Sequence, residues 1–186
     1  MSAPVPTAGN RQTYWPRGKV LGGSSSINAM VYIRGQAEDY GDWESAGNPG
    51  WGWDDILPVY KRMECHQWGE SAWHGGSGPL KVTAPDTELH PLCADFMAAG
   101  AEAGVPVNPD FNGASQEGVG PYHITTGNGF RMSAARAYLW PARNRPNLKI
   151  ETHADAEQLL FDGARVSGVT YRCHGVPRTA TAEAEV

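Results

Sequence analysis

The chain has 186 residues, of which 40% are hydrophobic and 19% are charged, a composition typical of a globular protein rather than of a disordered one. Its net charge of −5 excludes a sequence-independent nucleic-acid binder, because such a protein needs clustered cations to displace counterions from phosphates. No apolar run approaches the ~20 residues that a membrane-spanning helix needs, so no span is predicted.

Helices are predicted mainly toward the N-terminus. An extended arm, residues 1–17, leads into a glycine- and serine-rich segment, 18–35, in which Ile27–Val31 begins a short helix. Three further helices are expected, and Asp54 is the predicted N-cap of the second, whose apolar residues recur at helical spacing. These three helices cover residues 36–46, 54–64 and 89–103.

Strands are predicted mainly toward the C-terminus. Short strands are expected at 79–83 and 119–126, and Ser133 caps another helix that runs to about Asn144. Three β-rich runs end the chain, and Asp162-Gly163 between the last two is typical of a hairpin turn. These runs are 148–152, 157–161 and 166–171. The sequence therefore predicts a mixed α/β fold.

The segment 18–35, GKVLGGSSSINAMVYIRG, holds the residues with the clearest chemical meaning. Gly22 and Gly23 lack a Cβ and let the backbone come close to a ligand. Three serine hydroxyls and a helix N-terminus then offer donors of the kind that hold a pyrophosphate or the polar edge of a ring. An ordinary serine-capped helix after a glycine turn explains the same residues, and local chemistry leaves both interpretations open.

Four collinear motifs carry a resemblance that covers about residues 10–186. Besides 18–35 they are HGGSGPLKV at 74–82, FNGASQEGVGPY at 111–122 and RMSAARAYL at 131–139. Together they resemble the glucose–methanol–choline (GMC) oxidoreductases, in the branch of choline dehydrogenases and bacterial alcohol dehydrogenases. The resemblance implies a Rossmann-like FAD-binding domain interleaved in sequence with a mixed-sheet substrate domain. It also implies FAD-dependent oxidation of the CH–OH group of choline or another primary alcohol.

The resemblance also implies which residues contact the cofactor. Ile27 stands where some family members carry a histidine that bonds FAD covalently, so non-covalent FAD is expected. A looser match implies that Ala156, in the hairpin near the end of the chain, contacts the adenine of FAD. The cofactor-binding residues predicted from the glycine pair and the resemblance are Val20, Gly22, Gly23, Ser24, Asn28, Ala29, Met30, Val31 and Ala156.

Some features of the family are missing from the sequence. It contains no G-x-G-x-x-G strand–helix motif, and none of its six histidines matches the family's catalytic positions, so no general base is predicted. We therefore interpret the chain as an internal fragment, inactive alone, whose partners are the missing N- and C-terminal segments of the same enzyme. Residues 36–147 belong to the FAD and substrate regions, and 148–186 form a truncated hairpin of the FAD domain.

Histidine and cysteine suggest no metal site. Cys65 and Cys173 each precede a histidine, but adjacent side chains on a strand point apart, and unrelated residues are the preferred interpretation. His74, in a glycine-rich loop, is the histidine considered nearest to a ligand, although a structural role is favoured. Three cysteines without a CxxC pair or signal peptide predict reduced thiols and a cytoplasmic protein.

Two alternatives from other classes stay open. One is a small non-enzymatic module that binds sugars or aromatic ligands through its tryptophans, and the other is a truncated relic without activity. The seven tryptophans are spread over predicted helices and loops, which does not favour a dedicated binding surface.

Overall fold

The computed structural model of the chain describes residues 3–85, 89–184 and 186, so residues 1–2 of the predicted arm, 86–88 and 185 lie outside the described part. The chain divides into two compact units, Met1–Ala142 and Arg143–Val186. Helices and strands both occur, which confirms the predicted mixed α/β fold class. Among the described residues no helix is both long and apolar enough to cross a membrane.

The described residues of the first unit form three helices of more than two turns: α1 is Ala37–Ser45, α2 is Trp53–Met63 and α3 is Pro91–Glu102. Each begins and ends within one or two residues of its predicted bounds. The prediction that Asp54 is the N-cap of α2 is wrong, since Gly52, with extended backbone, is the N-cap. Asp54 lies in the first turn, where its carboxylate interacts favourably with the helix dipole. A 2.7 Å hydrogen bond between the Tyr40 and Tyr60 hydroxyls links α1 to α2.

The described part of the first unit also contains four short strands, of which the first begins directly after α2. Strand β1, Glu64–His66, pairs in parallel with β2, Leu80–Val82, and a two-residue hairpin is formed by β3, Thr126–Gly127, and β4, Phe130–Arg131. The buried apolar core around them is small. It consists of Tyr32, Leu80, Val82 and Ala137, with Met63 and Met132 packed against it.

The helix predicted at Ile27–Val31 is wrong. A short 3-10 helix, Gly23–Ser26, ends before it, and Met30 adopts a left-handed backbone conformation with φ of 65°, which no helix tolerates. Both main-chain polar groups of Met30 have partners outside a helical pattern. Its N–H donates to Asn28 Oδ1, and its carbonyl oxygen accepts from Thr125 N.

Two further predictions in this unit need correction. The continuous strand at 119–126 is wrong: Val119 and Ile124 form only isolated bridges, and Pro121 between them has no N–H to donate to a ladder. A helix does follow Ser133, and the hydroxyl oxygen of Ser133 accepts a hydrogen bond from Arg136 N. It is, however, a π-helix over Ala135–Leu139, followed by one α-helical turn, α4, Trp140–Ala142.

The second unit is a three-stranded antiparallel sheet in the order β5-β6-β7. Its strands are β5, Ala154–Asp162, β6, Arg165–Cys173, and β7, Val176–Thr181. The hairpin predicted at Asp162-Gly163 is confirmed, with Asp162 opposite Arg165. The strand predicted at 148–152 is wrong, because no described residue pairs with it in a ladder, and β7 was not predicted.

The β5–β6 hairpin is irregular at two places. Glu157 has no opposite residue, since Ala156 pairs with Tyr171 and Gln158 already pairs with Thr170. Ser167 on β6 is likewise skipped, because Leu160 faces Gly168 and Phe161 faces Val166. Each strand therefore carries one β-bulge.

Candidate functional site

Residues 18–31 are called the GS loop. Its two adjacent glycines, Gly22 and Gly23, have different structural roles. Gly22 and Gly23 both have positive φ, 91° and 55°. A Cβ on Gly22 would lie 2.5 Å from Ser26 Oγ and 3.3 Å from Ala135 Cβ, so Gly22 lets the loop pack on its own chain. A Cβ on Gly23 would meet nothing within 4 Å, so Gly23 faces open space.

The three serines that follow hold the GS loop in shape. Ser24 Oγ accepts from Gly18 N at 3.3 Å, which leaves its own proton free to donate. Ser25 donates to Gly22 O and accepts from Ala134 N at 2.9 Å, and Ser26 donates to Leu21 O at 2.9 Å. All three serine oxygens therefore take part in hydrogen bonds within the protein.

Apolar side chains form the outer surface of the GS loop. Val20, Ile27 and Val31 are 58%, 50% and 43% exposed. Val31 also forms a bridge with Ile124, which exchanges two main-chain hydrogen bonds with Thr83 beside β2. The loop thus rests on the core side of the first unit and presents apolar groups outward.

The structure collects eight of the nine predicted cofactor residues on this one loop. The ninth, Ala156, lies in the second unit on β5, next to the bulge at Glu157, and it is exposed. An exposed residue beside a bulge leaves main-chain groups accessible. Cofactor contacts at all nine positions stay predictions.

A second group of polar side chains was not foreseen as a site. Glu64 and His66 on β1, His74, Asp110 and His123 come together with the nearby Arg34, and we call these six residues the His74 cluster. Five of the six are buried, with at most 5% of their surface exposed: Arg34, Glu64, His66, His74 and His123. Buried groups of this kind are stable only when they are paired.

Two carboxylates enclose His74. Its Nδ1 lies 3.1 Å from Glu64 Oε1, and its Nε2 lies 2.8 Å from Asp110 Oδ2. Carboxylate oxygens only accept, so both ring nitrogens of His74 donate and the ring is an imidazolium. Arg34 Nη2 donates to Glu64 Oε2 at 2.9 Å, as does Gly75 N at 2.8 Å. Two cations and two anions therefore balance.

The other two histidines of the cluster are connected in a chain. His123 Nε2 lies 3.0 Å from Pro109 O, which can only accept. His66 Nε2 lies 3.0 Å from His123 Nδ1, and His66 Nδ1 accepts from Trp68 N at 3.2 Å. One proton per hydrogen bond makes both rings neutral, with His66 donating to His123. The His66 ring stacks on His74 with centroids 4.0 Å apart.

The pKa values follow from this arrangement. Burial lowers the pKa of His74, but its hydrogen bonds to Asp110 and Glu64 outweigh burial and raise it to about 9. Burial and then the His74 charge lower the pKa of His66 to about 4. Burial raises the pKa values of Glu64 and Asp110, yet the hydrogen bond from His74 and further donors leave both below their usual range.

Metal binding is a possible second use of this cluster, because ligand atoms of Glu64, His66 and His74 lie within 4.8 Å of one another. His66 Nδ1 is already occupied by Trp68 N–H, so Nε2 of the neutral ring carries the proton. Both nitrogens of His74 carry protons as well. A cation would have to displace these protons, so the geometry favours a hydrogen-bonded ion network over a metal site.

The His74 cluster predicts a stability maximum near pH 6.5 in the protein expressed from its complete reading frame. The raised pKa of His74 stabilises the fold below 6.5, and this contribution is lost as pH rises through about 9. The lowered pKa of His66 costs stability as pH falls from 6.5 toward about 4, and protonation of Glu64 and Asp110 then adds to the loss. Urea unfolding at several pH values measures the curve.

His74→Gln provides the control for that curve, since glutamine fills the site but does not titrate. The alkaline decline should be clearly shallower in the variant, whatever its absolute stability. Equal slopes for both proteins between about pH 7 and 9 would contradict the assignment of His74 as a buried imidazolium.

Sequence reasoning singled out His74 by its glycine-rich surroundings but missed its partners. The members of the cluster lie up to 89 positions apart in the chain, from Arg34 to His123, and no local spacing connects them. The HGG sequence at 74–76 and the Asp110-Phe111-Asn112 sequence were the available signals. The Asp110 carboxylate accepts from Asn112 N, and Asn112 in turn binds the main chain of Tyr32.

Comparison with known proteins places these features in a family. The family model described as GMC oxidoreductase matches residues 2–186. An alcohol dehydrogenase [acceptor] of Pseudomonas putida is 48% identical over 171 residues, 91% of this chain and 31% of its own. The oxygen-dependent choline dehydrogenase of Rhizobium meliloti (strain 1021) is 45% identical over 186 residues, all of this chain and 34% of its own.

Solved structures agree with this match. Pyridoxine 4-oxidase from Mesorbium loti superposes with a TM-score of 0.87 at 36% identity, over 97% of this chain and 36% of its own. An FAD-dependent oxidoreductase from Chaetomium thermophilum gives 0.86 at 28% identity, over 98% and 34%. The chain spans about a third of the length of these relatives.

Proposed function

The chain belongs to the GMC oxidoreductase family, whose model covers residues 2–186, and from that premise we propose that it forms part of an FAD-dependent enzyme that oxidises the CH–OH group of an alcohol. Choline or another primary alcohol is the proposed substrate class. The names of the similar proteins, choline dehydrogenase and alcohol dehydrogenase, support this choice.

The build of the GS loop is the observation that carries the proposal. Its serine oxygens are largely used internally, while Val20, Ile27 and Val31 stay exposed. A flat aromatic ring needs apolar walls and a few fixed polar groups, and Gly23 leaves room for close approach, so the residues fit a flavin. When bound, FAD would supply the redox chemistry by accepting a hydride from the carbinol carbon.

The proposed FAD contacts are on the GS loop and on β5. Ile27 presents a hydrocarbon side chain, which cannot form the covalent link that a histidine would allow, so we propose non-covalent binding. The proposed contact residues are Val20, Gly22, Gly23, Ser24, Asn28, Ala29, Met30, Val31 and Ala156.

We propose that none of the six histidines of this chain is the general base for the alcohol proton. His66, His74 and His123 are buried in the His74 cluster. His90 caps α3 by accepting from Leu92 N, and His153 stacks on the sixth histidine, His174, with centroids 4.6 Å apart. We propose that the catalytic base lies on another segment of a longer polypeptide, outside this chain.

The remaining segments receive roles in the same proposal. Residues 1–17 serve as an arm, 18–35 as the cofactor loop, 36–147 as parts of the FAD and substrate regions, and 148–186 as a hairpin of the FAD domain. Cys65, Cys93 and Cys173 are free thiols, which supports a cytoplasmic location.

A rival function has one observation in its favour. Trp43 and Trp51, each about half exposed, lie with centroids 5.6 Å apart and form an aromatic pair beside Asn48. Such a pair could contact a sugar, as in a small binding module. It does not explain the exposed apolar surface of the GS loop, so the oxidoreductase proposal is preferred.

Activity should require more than this chain. Protein expressed from the complete reading frame should contain FAD that acid denaturation releases, and should oxidise choline or a primary alcohol with a dye acceptor. Residues 1–186 alone, given FAD, should show no turnover because the proposed catalytic base lies outside this chain. FAD-dependent turnover by residues 1–186 above a heat-killed control would overturn the fragment interpretation, and a complete protein without FAD would overturn the proposed function.

A further inference from the structure

The amide of Asn28 has a fixed orientation in the GS loop. Its Oδ1 accepts from Met30 N at 3.1 Å and from Arg131 Nη1 at 2.7 Å. Both partners can only donate, so the atom that faces them must be the amide oxygen. The Nδ2 group therefore points the other way, and Asn28 is exposed.

Arg131 is the residue that links this amide to the rest of the loop. The same Nη1 also contacts Asn28 O at 2.8 Å and Ser25 O at 3.2 Å. Among the described residues its contacts are with neutral oxygens, and no ion pair between Arg131 and a carboxylate forms there. A guanidinium is suited to donating to several acceptors because its donors are rigid and planar.

The position of Arg131 is itself well defined. It ends strand β4, and the next residue, Met132, donates its N–H to Thr125 O. Thr125 in turn donates its N–H to the carbonyl oxygen of Met30, the left-handed residue. The β3–β4 hairpin therefore holds the GS loop at two places, at Ser25–Asn28 through Arg131 and at Met30 through Thr125.

We propose that Arg131 is a positioning residue for the cofactor site, and that it directs the Nδ2 protons of Asn28 outward as hydrogen-bond donors to FAD. The inference rests on the proposed function. It specifies the role of Asn28, since an oxygen already occupied by two donors leaves the amide to act toward the cofactor as a donor.

Asn28→Asp separates the donor role from loop structure in the protein expressed from its complete reading frame. Aspartate keeps an oxygen for Met30 N and for Arg131 but has no N–H. We expect FAD affinity, measured by flavin fluorescence on reconstitution, to fall about tenfold or more, with a shifted flavin absorption spectrum. The melting temperature of the FAD-free protein should stay within a few degrees of the unchanged protein, because the loop contacts remain.

Arg131→Met tests positioning, and Arg131→Lys tests whether charge alone suffices. Methionine should weaken FAD binding to a similar extent as Asn28→Asp, and lysine should restore only part, because its flexible side chain does not hold the nitrogen in the fixed geometry of a guanidinium. Arg136→Met is the matched control, since Arg136 lies over the Phe130 ring, 4.6 Å from its centroid, and should leave FAD binding unchanged.

The outcomes are distinguishable. If the unchanged protein contains FAD but Asn28→Asp binds it with the same affinity and spectrum, Asn28 is no donor and the inference fails while the proposed function stands. If Arg131→Lys and Arg131→Met both bind FAD normally, Arg131 has no positioning role. If the unchanged protein holds no FAD at all, the proposed function fails first.

Discussion

Glu64→Gln is expected to lower the free energy of unfolding by about 3–5 kcal/mol, because removing one partner from a buried ion network leaves the opposite charges uncompensated. Glu64 is 0% exposed and accepts from Arg34, His74 and Gly75. Glutamine has nearly the same shape, so the loss measures charge rather than packing. Urea unfolding of the protein expressed from its complete reading frame gives the value.

Glu70→Gln is the matched control for this measurement. Its carboxylate lies 4.0 Å from Lys61 Nζ and its side chain is 77% exposed, so its removal should cost less than about 1 kcal/mol. A double variant, Arg34→Met with Glu64→Gln, should be more stable than Glu64→Gln alone, because the unbalanced positive charge is then removed while the glutamine oxygen still accepts a hydrogen bond. A cost below about 1 kcal/mol for Glu64→Gln would show that the cluster does not support the fold.

The isolated chain of 186 residues is expected to show no single cooperative unfolding transition and to bind hydrophobic dyes. Its accessible surface is 12968 Å². A compact monomer of this length exposes about 8,700 Å², and two separate compact bodies of the sizes of its units would expose about 10,000 Å² together. The chain therefore exposes roughly 3,000–4,000 Å² more surface than compact bodies of its size. Because the free energy of unfolding of a domain is only about 5–15 kcal/mol, the loss of so much burial is enough to prevent cooperative folding.

Exposed apolar residues show where this surface lies. Leu92 and Phe96 on α3 and Phe161 on β5 are all more than 60% exposed. Urea titration followed by circular dichroism, together with dye fluorescence, tests the prediction, with the protein expressed from its complete reading frame as the control. A single steep transition with a slope normal for this length would show instead that residues 1–186 form a self-sufficient domain.

Local patterns predicted those elements that depend on local interactions. The first helix, Ala37–Ser45, is fixed by its polar start, where Gln36 N donates to Asp39 Oδ2, and by the glycine at position 47. The β5–β6 hairpin is fixed by its two-residue turn and the apolar runs beside it. Such interactions leave a signal within a few positions of the sequence.

Elements that depend on distant partners were predicted poorly. The residues Ile27–Val31 predict a helix, but Met30 has a left-handed backbone conformation. Its carbonyl oxygen accepts a hydrogen bond from Thr125 N, 95 positions away. The run 148–152 has the composition of a strand but no partner strand among the described residues. The His74 cluster is the extreme case, because His66 and His123 form one hydrogen bond across 57 positions. The family resemblance carries such distant information in its motifs, and the cofactor contacts that it implies on the GS loop stay a prediction.

The paired bulges of the β5–β6 hairpin limit how this part of the chain can vary in length. Glu157 adds one residue to β5 and Ser167 adds one to β6, so the two additions cancel before the turn at Gly163. Deleting Glu157 alone would shorten one strand and move the turn out of register, whereas losing both residues together would give a regular ladder of the same pairing. Gaps in this hairpin among related sequences should therefore occur in both strands or in neither.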